Sequence, residues 1–113
     1  MAALLCLVLC LNVTFTAHSA SRNRNTAQDT SDAGVLFARN CAKCHGKDGR
    51  AKTFRGKLAG ARNLTDADWQ AKVSDERLFN SITNGRGKMP SFGKKLSSAQ
   101  IESLVAHVRR LKK

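Results

Sequence analysis

The sequence predicts a small all-α domain, and three observations predict it. Apolar residues recur at helical spacing, capping residues stand in front of those runs, and no stretch alternates with the period of two that a half-buried strand requires. A length of 113 residues leaves room for one domain and excludes a two-domain enzyme. The apolar share, 42 %, is too high and too periodic for a disordered chain. Five Phe, one Trp and no Tyr nevertheless supply little aromatic bulk, so a core of this size calls for a staple: a disulfide, a metal or a cofactor.

Residues 1–20 read as a secretory signal peptide. Ala2 to Leu11 is an unbroken apolar run, and every Lys, Arg, Asp and Glu lies at or beyond Arg22. Ten helical residues would span about 15 Å, half the hydrocarbon core, so a stable transmembrane span fits less well than cleavage after Ser19 or Ala20. No basic residue precedes the run, which keeps an uncleaved membrane anchor as the alternative. With Cys6 and Cys10 removed by cleavage, the mature chain carries two cysteines, Cys41 and Cys44, to be explained together. Residues 21–30 are polar, without apolar periodicity, and read as a flexible linker, which leaves 31–113 as the folded domain.

About four helices are expected. Ser31 or Asp32 caps the first, which sets Ala33, Leu36, Phe37 and Cys41 on one face and ends at Gly46. Lys47 to Gly60, basic and interrupted by glycine, reads as a loop that carries Phe54 and Leu58 inward. Thr65 with Asp68 resembles a capping box for a short helix through Trp69 to about Lys72. Ser74, Asp75 and Glu76 open the next helix, with Leu78, Phe79 and Ile82 inward and Asn84 and Gly85 as its stop. Ser97 and Gln100 form a capping box for the last helix, Leu96 packs on Ile101 as a hydrophobic staple, and Ile101, Leu104, Val105, Val108 and Leu111 continue an apolar stripe. Arg109, Arg110, Lys112 and Lys113 complement the negative end of its dipole.

Cys41-Ala42-Lys43-Cys44-His45 is a C-x-x-C-H sequence, the spacing of a covalent c-type haem attachment site. On the last turn of a helix, two cysteines three apart share a face and can each form a thioether to one haem vinyl, while the next residue presents a ring nitrogen to the iron. A thioredoxin-like pair would need a strand context that is absent. A zinc site would need a second ligand pair, and the mature domain adds only His107. The sixth iron position then falls to Met89, the only Met besides the initiator. It lies in Asn84-Gly85-Arg86-Gly87-Lys88-Met89-Pro90-Ser91-Phe92-Gly93, a glycine and proline loop with no helical face for it to fill.

From about Asp32 to Leu111 the chain resembles a class I cytochrome c of the small bacterial and algal type, with the Gly34, Leu36 and Phe37 helix, the haem motif, the Met89-Pro90 loop and the amphipathic last helix in order. The resemblance implies that first and last helices cross near Gly34 and Phe37 around one covalent haem c, and that one haem edge reaches the surface. His107 departs from it, standing where an aromatic is usual. Trp69, Phe54, Phe79 and Phe92 read as core or haem-pocket residues, and by resemblance Arg62 and Asn63 are candidates to bind a haem propionate.

With His45 and Met89 both on the iron, no coordination position is left for a substrate. The expected function is a soluble one-electron carrier in an exported, periplasm-like compartment, a monomer and not an enzyme. A subunit of a larger oxidoreductase and a haem-based sensor or peroxidase are the alternatives. The formal charge of +12 is spread along the chain, which argues against nucleic acid and for acidic redox partners, among them membrane-bound complexes. Lys43, Lys47, Arg86, Lys88, Lys94 and Lys95 flank the two ligand loops, whereas Arg109 and Arg110 lie at the far end of the last helix.

Overall fold

The computed structural model describes residues 33–113. The signal peptide, its cleavage site, the linker and the Ser31 or Asp32 cap all lie outside them. Six helical segments follow one another: α1 (residues 33–40), α2 (Ala42–His45), α3 (Phe54–Ala59), α4 (Ala67–Lys72), α5 (Asp75–Asn84) and α6 (Ser98–Arg110), with no strand among the described residues. The four expected helices are present, the first of them broken into α1 and α2 by a turn at Cys41. Ala33 and Phe37 are buried on α1, and the helix pair ends at Gly46, whose φ of 77° suits a residue without Cβ.

α6 fits its sequence reading in detail. The Ser97 hydroxyl accepts from Gln100 N and the Gln100 side chain accepts from Ser97 N, so both halves of the capping box are made. Ile101, Leu104, Val105 and Val108 are buried, and Leu96, on the other side of the cap, belongs to the same apolar cluster. α5 is capped by Ser74, whose hydroxyl accepts from Arg77 N, and buries Leu78 and Ile82 against that cluster while Phe79 stays half-buried.

The structure corrects three expectations. The stretch from Lys47 to Gly60 is not wholly a loop: Thr53 caps a helix, its hydroxyl accepting from Gly56 N at 2.9 Å, and Gly60 ends it in the left-handed conformation. Nor do Phe54 and Leu58 point inward, since they are 80 % and 63 % exposed. What turns inward is Gly56, where an added Cβ would lie 2.1 Å from the Cys44 carbonyl oxygen, so α3 meets α2 backbone to backbone. Second, α4 is capped by Asp66, whose carboxylate accepts from Trp69 N at 3.0 Å. Thr65 is instead buried, with its hydroxyl and N–H both bonded to Asn63 Oδ1 in an Asx turn. Third, Gly34 is not a point of close helix approach, because a Cβ there would meet no described atom within 4 Å. The contact between first and last helices is made by Phe37 and His107, whose rings lie 4.8 Å apart at 39°. His107 takes the aromatic role, and burial, followed by the charge of Arg110, holds its pKa below the ordinary value.

Arg109 does more than complement the helix dipole. Its guanidinium donates to Gln70 O at 2.7 Å, Val73 O at 2.6 Å and Asp75 Oδ1 at 2.7 Å, tying α6 to the end of α4 and the start of α5. Buried Gln70 completes this seam by donating to Leu64 O and Val108 O. The backbone reaches further still, with Lys113 N donating to Thr65 O.

Candidate haem site

Cys41, Cys44 and His45 sit on the turn where α1 passes into α2, each half-buried, with Cys41 packed against the apolar cluster. Both cysteines are free thiols, and burial, then the neighbouring Cys44, pushes the Cys41 thiol up to about 11. His45 ends α2, and its Nδ1 lies 3.0 Å from the Arg62 carbonyl oxygen. A carbonyl only accepts, so Nδ1 carries the proton and Nε2 presents its lone pair. Burial lowers the His45 pKa against the opposing effect of that hydrogen bond and favours the neutral imidazole that a metal needs.

The loop bearing Met89 is built with equal economy. Arg86 and Met89 exchange two backbone hydrogen bonds of 3.0 Å, closing a two-residue turn over Gly87 and Lys88. Gly85, at φ 77°, lets the chain double back, for a Cβ there would lie 2.6 Å from Met89 O. Phe92 N donates to Ile82 O and Gly93 N to Thr83 O, which docks the exit of the loop on the C-terminal end of α5. Met89 is half-buried against the apolar cluster that also receives Cys41 and Ala42. The loop is braced from the other side as well, since Lys88 Nζ donates to Leu58 O at 2.9 Å and so connects it to α3.

The donor set suits a covalent haem: two free thiols three residues apart, an imidazole with Nδ1 already occupied, and a thioether held on a separate rigid turn. It suits a zinc ion poorly, because among the described residues no three His, Cys, Asp or Glu side chains converge. Of the remaining aromatics, Phe92 is buried in the core and Trp69 and Phe79 pack partly against it, while Phe54 does neither. Arg62, a propionate candidate, lies over the Trp69 ring at 5.8 Å from its centre, and the Asn63 carbonyl oxygen is engaged with Thr65. Two features escaped the sequence reading. The Arg62 carbonyl carries no side-chain signal at all, whereas α3 did have one in Thr53 and Gly60, cap and stop on either side of a six-residue helix.

Comparison with known proteins decides the family. The family model described as "Cytochrome C oxidase, cbb3-type, subunit III" matches residues 28–108. The chain is a class I c-type cytochrome. It is 34 % identical over 84 residues to cytochrome c6 of Aphanizomenon flos-aquae, which covers 71 % of this chain and 87 % of that protein. It is 39 % identical over 77 residues to the cbb3-type cytochrome c oxidase subunit FixP of Azorhizobium caulinodans, covering 67 % of this chain but only 25 % of FixP. The cytochrome therefore spans about a quarter of the oxidase subunit it matches. Among solved structures, the KustC0563 c-type cytochrome superposes with a TM-score of 0.69 at 42 % identity, over 73 % of this chain and 99 % of that one. Like its family, the cytochrome carries covalently bound haem c with its iron.

Proposed function

We propose that the cytochrome is a soluble one-electron shuttle whose haem is joined to Cys41 and Cys44 and ligated by His45 and Met89. The single observation that carries this reading is the His45 Nδ1 contact with Arg62 O, which leaves one ring nitrogen for iron on the short helix that holds the Cys44 thiol and that Cys41 precedes. When bound, the haem supplies a one-electron Fe(III)/Fe(II) couple. The chain's own residues do the rest. Arg62 fixes the His45 ring and raises its donor strength, the Gly85 to Met89 turn presents the thioether, and the apolar cluster around Cys41 and Met89 keeps water from rearranging as charge moves. His45 and Met89 would both hold the iron, leaving it no position for a substrate, so the cytochrome would act as a carrier and not an enzyme. Resemblance to FixP supports a second reading, a haem domain serving an oxidase complex.

Two tests bear on this reading. Export with cleavage after Ser19 or Ala20 should place the mature N-terminus at Ala20 or Ser21, so N-terminal sequencing of the periplasmic fraction reads it directly, and Met1 retained in membranes would favour the anchored form. No helix among the described residues is long and apolar enough to cross a membrane. The second test concerns acidic partners. The rate of electron transfer to a negatively charged protein should fall steeply as salt shortens the Debye length to about 8 Å at physiological ionic strength. Lys43→Glu with Arg86→Glu, both exposed beside the ligand turns, should lower the rate more than Arg110→Glu with Lys112→Glu. Arg109 and Lys88 are unsuitable for charge reversal, because the first clamps three helices and the second bonds Leu58 O. Equal losses from both pairs would show that charge acts only globally.

A further inference from the structure

The turn that carries Met89 is held by backbone on one side and by a single side chain on the other. Gly85 N donates to Ser81 O, Phe92 N to Ile82 O and Gly93 N to Thr83 O, so the entry and the exit of the loop both rest on the C-terminal end of α5. The tip between them, Arg86 to Met89, overhangs that support. Gly85 and Gly87, at φ 77° and 57°, give it a backbone freedom that other residues lack. Towards α3 the tip makes one bond, from Lys88 Nζ to Leu58 O at 2.9 Å, and among the described residues no other side chain of the tip makes a hydrogen bond.

The Leu58 carbonyl is a ready acceptor. It lies in the last turn of α3, where carbonyls outnumber the N–H groups that follow, and those N–H groups go elsewhere: Gly60 N to Gly56 O and Lys57 O, Ala61 N to Gly56 O. An ammonium suits this end of a helix, where the partial charge is negative. α3 is itself fixed to the turn of Cys44 and His45. The Thr53 hydroxyl at its N-cap donates to Cys44 O at 2.8 Å, and Gly56 lies so close to the same carbonyl that a Cβ would not fit. An unbroken mechanical path thus runs from the His45 turn through α3 and Lys88 to Met89 without passing through the haem.

We propose that Lys88 is a positioning residue, whose bond to the Leu58 carbonyl latches the tip of the Met89 turn to α3 and keeps the sixth iron position closed to outside ligands. This rests on ligation by His45 and Met89 as read above and deepens it, by naming what holds the thioether in place. For Met89 to leave the iron the tip must swing out on its two glycines, and breaking the latch removes the one side-chain bond that opposes the swing.

The test uses the full haem-loaded cytochrome in its oxidised form, with imidazole as the incoming ligand. At high imidazole the binding rate levels off at the rate at which Met89 leaves. Lys88→Met keeps a stem of similar length without the donor and should raise that plateau on the order of tenfold, the low end for a hydrogen bond from a charged donor because Lys88 is exposed. Lys88→Arg, which keeps a donor, should recover most of the loss. Lys57→Met removes the same charge from an exposed position on α3 and should leave the rate alone. Amide hydrogen exchange supplies a readout independent of the iron: in Lys88→Met the Arg86 and Met89 N–H groups should exchange faster, while those of Ile101 to Val108 in α6 should not. An unchanged plateau in Lys88→Met, an equal rise in Lys57→Met, or equally faster exchange throughout α6 would overturn the latch. Imidazole binding to the unmodified cytochrome that never levels off would instead bring down the reading of Met89 as a ligand, whatever the exchange of the tip shows.

Discussion

Replacing both Cys41 and Cys44 by Ala yields a chain with no covalent haem and no stable fold. The described domain of 81 residues, 33–113, commands a stability of about 4–12 kcal/mol at the usual value per residue. Its apolar cluster is thin: Ile101 and Leu104 are its only fully buried large side chains, and Cys41, Ala42 and Met89 pack at its edge where a cofactor would complete it. Removing that contribution should cost the whole margin, since a chain this small cannot replace a lost staple with more core. Haem staining after denaturing electrophoresis should be blank, and far-ultraviolet circular dichroism should show little helix and no cooperative melt. Haem surviving acid acetone extraction would reject these cysteines as the attachment points. A cooperative thermal transition in the double variant would show that the helices α5 and α6 and the Arg109 seam suffice without it.

Replacing Met89 by Ala leaves the haem attached but changes what it can do. The hairpin from Arg86 to Met89 is held by its two backbone hydrogen bonds and by Gly93 and Phe92 on α5, none of which uses the Met89 side chain, so the loop should survive the substitution. The iron should then bind carbon monoxide when reduced and cyanide when oxidised. Its potential should drop by on the order of 0.1–0.3 V, part of the roughly 0.8 V that axial ligands command, because a thioether favours the reduced iron more than water does. Carbon monoxide titration and potentiometry read both effects. Met89→His provides the control, restoring six-coordination and resistance to carbon monoxide without restoring the potential. If the unmodified cytochrome takes carbon monoxide as readily as the Ala variant, Met89 is not on the iron and the sensor reading gains.

Much of this molecule is written locally. The helical turn of the Cys41 to His45 motif, the Ser74 cap of α5, the capping box of α6 and the apolar stripe from Ile101 to Val108 are each confined to a few neighbouring residues, and the structure reproduces them because helix caps and helical periodicity depend on short-range geometry. The sequence also separated Met89 from any helix, which made it conspicuous. A one-residue ambiguity was enough to misplace the α4 cap, since Thr65 and Asp66 are both good caps and only the competing Asn63 carbonyl decides between them.

Long-range placement decided the rest. Nothing near His45 in the chain reveals that the carbonyl 17 residues away fixes its ring, because any residue at position 62 has a carbonyl and only the path of the chain brings it there. Arg109 looked like a charge at a helix end until Gln70, Val73 and Asp75 were seen converging on its guanidinium. α3 escaped notice because its two apolar residues were assigned to the interior on hydrophobicity alone. Hydrophobicity says that Phe54 and Leu58 gain by leaving water, but which surface they leave it for is set by where Gly56 lets the helix touch its neighbour. By itself the sequence determined every helix but α3 and the residue types proposed to hold the haem; the tertiary structure decided which backbone group orients His45 and which apolar side chains remain outside, because both depend on contacts between segments far apart in the chain.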